Sequence, residues 1–141
     1  MAEVMAITIA DALTAGGGNA YCSLSAVSAK DKAKLYNVMS NPAHKVGDYI
    51  NKQIRVKDIY VEAVEITDED TNETVVAPRI VLVDVDGDSY QAVSKGVFSS
   101  LSRMIKVFGE PTWDGGIPCV VKQVSLGKNQ MLTLEVDESQ L

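Results

Sequence analysis

Several things that catalytic, metal-binding or exported proteins rely on are scarce in this chain of 141 residues. It has one histidine, His44, so an HExxH zinc pair cannot be assembled from it, and a thiol relay would need a cysteine from far along the chain. The two cysteines, Cys22 and Cys119, stand far apart and outside any CxxC spacing, so a buried, reduced pair with no disulfide or metal role is expected. GxSxG, GxxxxGK[ST] and GxGxxG are all missing, which removes the common nucleophile elbow and the phosphate-cradling loops. No apolar run approaches the roughly 18 residues that a membrane helix needs. The start, "MAEVMAITIADAL", has no basic n-region and carries Glu3 where a signal peptide would place Lys or Arg, so a cytoplasmic location is expected.

Positive charge is also scarce in total, since 13 basic residues face 19 acidic ones for a net charge of −6. That balance by itself argues against nucleic acid, but its distribution matters more than its sum. Residues 30–60 hold seven basic residues against three acidic ones, a local +4, and residues 93–134 hold five against two, a local +3. The acid is concentrated between Glu62 and Asp88 and in the terminal "EVDESQL". A positive groove on an anionic body is therefore possible.

With 46% hydrophobic and 23% charged residues, the composition is that of one ordinary globular domain. "AGGGNA" divides an N-terminal arm, 1–18, from a body, 19–141. "AYCSLSAV" reads as a strand and 28–41 as a short helix with Ser28 as N-cap, stopped by Pro42. A long strand follows in "YINKQIRVKDIYVEAVEIT", where the apolar parity becomes ambiguous around Asp58 to Tyr60 and predicts a bulge. "VVAPRIVLVDV" is a second strand, and Asp86-Gly87 predicts a type I′ hairpin into a third. Val97, Leu101, Met104, Ile105 and Phe108 form one stripe at helical period, ended by Gly109 and Pro111. "IPCVVKQVS" and "QMLTLEVD" are the last two strands. Three strands, a helix and two strands is the element order of the OB-fold, a mainly β five-stranded Greek-key barrel, here with an N-terminal strand and helix added. In such a barrel the helix plugs one end, and its stripe is core.

The candidate chemistry is sparse. "DVDGD" resembles a calcium loop, but an EF-hand starting at Asp84 would need Gly and Glu where Ser89 and Lys95 stand, so a solvated turn and no metal are expected. His44 follows Pro42 and reads as exposed loop. What remains is aromatic residues among cations, the two ingredients of single-strand binding. Tyr49, Lys52, Arg55, Lys57 and Tyr60 lie in or before the first barrel strand, Arg79 and Tyr90 in the next two, Lys95 at the helix start, Trp113 in the loop after it, and Lys122 and Lys128 about the last hairpin. On this reading the cations neutralise phosphates, while Tyr60, Tyr90 and Trp113 stack bases. The protein is not read as an enzyme and no cofactor is expected. Two other readings stay open: an assembly module that uses the acidic segment from Glu62 to Asp70, and a nucleic-acid-processing enzyme that uses the Asp84 to Asp88 cluster with a divalent metal.

At "DGDSYQAVSKGVFSSLSRMIKVFG", "VVKQVSLGKNQMLTLEV" and "NPAHKVGDYINKQIRVKDIYVE", the chain resembles the small single-stranded DNA-binding proteins of tailed phages that infect Gram-positive bacteria. The resemblance covers roughly residues 20–136, and Tyr90, Ser94 and Lys95 match its most recognisable motif. It implies an OB-fold that coats single-stranded DNA without sequence preference during replication or recombination, in the host cytoplasm and without a metal. Phage replication proteins and further copies of the chain are the partners it suggests. The longer N-terminal part, 1–45, departs from the pattern, and "DESQL" is only a short version of the acidic tail by which many such proteins recruit partners.

Overall fold

The computed structural model describes residues 20–127 and 129–141. The arm expected at 1–18 and the expected site residue Lys128 lie outside them. The elements are β1 (Ala20–Cys22), α1 (Ala29–Ser40), β2 (His44–Lys45), a 3-10 turn (Val46–Tyr49), β3 (Gln53–Thr67), β4 (Thr74–Asp84), β5 (Ser89–Val93), α2 (Lys95–Phe108), β6 (Ile117–Leu126) and β7 (Asn129–Val136). The strands form one sheet in the order β2-β5-β4-β3-β6-β7, with β1 added to β3. All pairs are antiparallel except β2 with β5. The sheet curls into a half-barrel, so the chain is a mainly β, OB-fold-like domain.

The curl depends on β3. Its first residues, Gln53 to Val56, pair with β6, and the rest pairs with β4. Between the two partners the register slips at Lys57. One extra residue switches which side chains point inward. Ile54 and Val56 face the barrel core before the slip, and Ile59 and Val61 face it afterwards. The bulge expected near Asp58 is thus present one residue earlier, and it lets one long strand serve both sides of the barrel.

There are two cores. The barrel interior holds Ile54, Val56, Ile59, Val61, Ile80, Leu82, Val97, Leu101 and Val121, among others. On the opposite face of β3 and β4, Tyr60, Val81 and Val83 are covered by Val38 and Leu35 of α1. Ser28 and Asp31 close a reciprocal capping box that starts α1 there.

α2 is seated against β7 as well as beneath the barrel. A Cβ added at Gly96 would lie 2.0 Å from the Leu132 carbonyl oxygen, so only glycine permits this approach. The buried Ser100 hydroxyl donates to the Gly96 carbonyl (3.0 Å) and accepts from the Leu134 N–H (3.1 Å). This satisfies an edge donor of β7 that would otherwise be free. Val97, Leu101 and Met104 of the expected stripe are buried, whereas Phe108 is exposed beyond the sheet.

The β4–β5 turn differs from the expected type I′. Gly87 has positive φ, while Asp86 does not. The Gly87 N–H bonds the Asp84 carbonyl (3.0 Å), and Asp84 Oδ1 accepts from the N–H groups of Asp86 and Asp88 (2.9 Å each). It is a three-residue turn with a glycine bulge, organised by one carboxylate. The cysteines also depart from expectation: both are free, but only Cys119 is buried, and Cys22 is exposed.

Candidate nucleic-acid interface

An OB barrel closes by joining its third strand to its fifth. Among the described residues β5 and β7 do not pair, and residues 44–51 cross the gap instead. Pro42 ends α1, and the extended chain lays His44 and Lys45 parallel to Tyr90 and Gln91. Val46, fully buried, anchors the crossing in the barrel core. The 3-10 turn sets Gly47 where an added Cβ would lie 4.0 Å from Leu132 Cδ1, and Ile50 bridges to Val121 on β6. Asn51 takes a left-handed conformation (φ 67°), which asparagine tolerates, and donates to the Val121 carbonyl at 2.7 Å. Residues 44–51 are therefore a strap over the seam.

The strap gathers an aromatic cluster. His44 stacks on Tyr90 with ring centres 5.0 Å apart, and the edge of Tyr49 meets both, at 5.0 Å from Tyr90 and 5.5 Å from His44. Tyr49 Oη lies 3.3 Å from His44 Nδ1. The Tyr90 hydroxyl donates to Asp84 Oδ2 at 2.7 Å, so burial first, and then this bond, hold the phenol well above its ordinary pKa. Tyr90 is thus a fixed floor with Tyr49 and His44 half-exposed above it. Lys52 Nζ sits 5.7 Å from the centre of the Tyr49 ring, in reach of a cation–π contact. Beside the cluster an open groove of about 420 Å³ runs between the strap and the edge of β5, lined by Lys45, Gly47, Asp48, Gln91, Val93 and Leu132. Lys95 follows two residues beyond Val93, exposed at the start of α2.

The other expected site residues lie elsewhere or are engaged. Tyr60, Tyr90 and Trp113 are only 4, 6 and 7% exposed, so none offers a free ring face to a base in this conformation. Each is held in the core by a bond at its polar edge: Tyr60 Oη to Glu62 (2.9 Å), Tyr90 Oη to Asp84, and Trp113 Nε1 to the Gly109 carbonyl (2.9 Å). Arg79 is paired with Glu62 (2.9 Å) and reaches Gln91. Arg55 donates to the carbonyls of Gly115 (2.8 Å) and Gln140 (3.4 Å). Lys57 occupies the bulge and Lys122 the middle of β6. Of the expected set, the structure brings Tyr49, Tyr90 and Lys52 together. It adds His44, Lys45 and Gln91, which sequence reasoning missed. The available signal was the alternation of ring and charge in "HKVGDY", where His44, Lys45 and Tyr49 sit within one short segment.

Among the described residues no group of three His, Cys, Asp or Glu side chains is placed to hold a metal ion, and no helix is long and apolar enough to cross a membrane. An OB-fold-like barrel with rings and lysines beside an open groove has the architecture of an oligonucleotide-binding domain. Over residues 14–137 the chain matches the family of phage single-stranded DNA-binding proteins of the Phi29 type, and it belongs to that family. Neither a curated protein nor a solved structure matches it.

Proposed function

We propose that the chain coats single-stranded DNA without sequence preference during phage DNA replication or recombination in the bacterial host cytoplasm, and that the strand follows the strapped seam. The observation that carries the reading is the half-buried Tyr49 ring with Lys52 in cation–π reach, beside a groove lined by Lys45, in a chain of this family. Tyr49 and His44 offer faces to bases, while Lys45, Lys52 and Lys95 neutralise phosphates, with Lys122 and Lys57 as further cations on the same domain. Asp48 on the groove wall repels phosphate and sets its outer limit. The outer face of β3 and β4 is the poorer candidate because α1 covers Tyr60, Val81 and Val83 there. Binding of this kind uses no metal, cofactor or bond-breaking step.

The test is a titration of labelled oligo(dT), mixed-sequence single strands and duplex at several salt concentrations. Single strands should bind regardless of sequence, with log K falling linearly in log salt by about 0.7 per phosphate neutralised. Preference for duplex, or affinity indifferent to salt, would refute the reading.

A further inference from the structure

The β3–β4 hairpin outruns the rest of the sheet. β5 ends at Val93 opposite Arg79, and among the described residues Ala63–Thr67 pairs only with Thr74–Pro78. Two strands alone are marginally stable in water. On the face that α1 covers lower down, Glu62, Arg79 and Gln91 form a polar row. Beyond it Val64 opposes Ala77, which is still buried, and Ile66 opposes Val75, the two being 42 and 51% exposed. Between residues 63 and 78 the ribbon has five carboxylates, Glu65, Asp68, Glu69, Asp70 and Glu73, and no cation.

The complement is on the same molecule. The outward side of α2 exposes Ser99, Arg103, Lys106 and Val107, spaced by four, three and one residues and so on one helical face. That face ends in Val107, 78% exposed, and Phe108, also exposed. Glu110 follows, but its carboxylate already accepts from the Tyr21 hydroxyl. A cationic helix face with an apolar tip matches an anionic ribbon with an apolar face. The surfaces differ, so a contact between them is heterologous and repeats head to tail from copy to copy, in an open chain unless the rotation between copies closes a ring.

We propose that the β3–β4 ribbon of one copy docks on the outward face of α2 of the next, linking copies head to tail. The occupant is a second copy because both halves of the match are present on one chain, and Val107 and Phe108 add apolar surface that phosphate would not require. The contact stands apart from the groove, and DNA is not needed to form it. A bound strand strengthens it by raising the local concentration of neighbours.

The experiment is sedimentation velocity of the full chain over a range of concentrations, without DNA, on wild type and on two charge-reversed variants. Glu69→Lys with Asp70→Lys reverses the ribbon, and Arg103→Glu with Lys106→Glu reverses the helix. All four residues are exposed, so the fold should persist. Wild type should form an open-ended series, or a ring where the rotation closes, that dissociates in salt, and each variant alone should associate about tenfold more weakly or worse. An equimolar mixture of the two should regain the series with alternating copies, since each contact then joins opposite charges. A wild type that stays monomeric, or a mixture no better than its components, would overturn the proposal. Each variant's affinity for an oligonucleotide that holds only one copy should match wild type. A tenfold loss there for the helix variant would assign α2 to DNA and overturn the proposal, while the groove reading keeps its own test.

Discussion

Replacing Tyr49 with leucine removes a ring face and leaves most of the apolar volume. The ring meets Tyr90 and His44 edge-on at 5.0 and 5.5 Å, and leucine retains part of that packing. The stability loss should therefore stay near 1 kcal/mol, within the range of one aromatic pair, and the variant should remain folded. Affinity should fall much further. A stacked base contributes roughly 1 to 3 kcal/mol, which is about 5- to 150-fold in Kd. The assay is fluorescence anisotropy of labelled oligo(dT) at three salt concentrations, beside a thermal melt. The slope of log K against log salt should not change, because stacking releases no counterions. Tyr49→Phe loses only the contact of Oη with His44 Nδ1 at 3.3 Å and should bind nearly as wild type. If Tyr49→Leu bound single strands with wild-type affinity while melting as expected, the strand would not pass over the seam and the assignment of the groove would be wrong.

Lys45→Ala and Lys52→Ala should each lower the salt slope by about 0.7 and weaken binding equally for all sequences, as the same titrations will show. Gly96→Ala should destabilise by about 1 to 3 kcal/mol or more in thermal denaturation, since its methyl would sit 2.0 Å from the Leu132 carbonyl oxygen and 2.5 Å from Met131 Cγ; an unchanged melt would disprove the close seating of α2 on β7. Burial pushes the Cys119 thiol up from about 9 to about 12. The unfolded chain loses that proton first, so the stabilisation is complete below pH 9 and is lost as pH rises to about 12. Urea midpoints should fall over that window more steeply for wild type than for Cys119→Ala, and parallel slopes would refute the assignment. Tyr21, Tyr60 and Tyr90 are shifted the same way and act in both proteins.

The sequence was most legible where one residue's chemistry acts locally. Ser28 and Pro42 bound α1, Gly109 ends α2, and the broken alternation after Val56 marks the bulge. Each is a short-range effect of backbone geometry, so neighbouring letters suffice. The strand, strand, strand, helix, strand, strand order was likewise enough to define the barrel. The placement of aromatic rings was not legible. Tyr60 and Tyr90 are close to charge in the sequence, yet each is buried, Tyr60 beneath Leu35 and Val38 of α1 and Tyr90 against the His44 and Tyr49 rings, with hydroxyls bonded to Glu62 two residues along the same strand and to Asp84 across the turn. Trp113 lies in a loop, yet its indole nitrogen reaches back to the end of α2. His44 read as loop because its two-residue strand exists only through its partner, Tyr90, 46 residues later. Such outcomes depend on long-range pairing, and no local pattern encodes them.

The division between lysine and arginine fits the proposed chemistry. Both arginines expected to contact DNA are committed within the fold, Arg79 to Glu62 and Gln91 and Arg55 to two backbone carbonyls. A planar guanidinium suits such fixed, directional partners. The lysines proposed to meet DNA, Lys45 in the groove wall together with Lys52 and Lys95, are compact charges on flexible stems that can follow a phosphate without requiring one geometry. Phosphate contacts position a strand and carry no sequence information, and a tyrosine face accepts any base. In the proposed mode of binding, indifference to sequence follows from the kinds of group at the seam. A chain of net charge −6 can hold a polyanion in this mode because nine of its 19 carboxylates lie between Glu62 and Asp88, whereas Asp48 is the acidic residue in the groove wall.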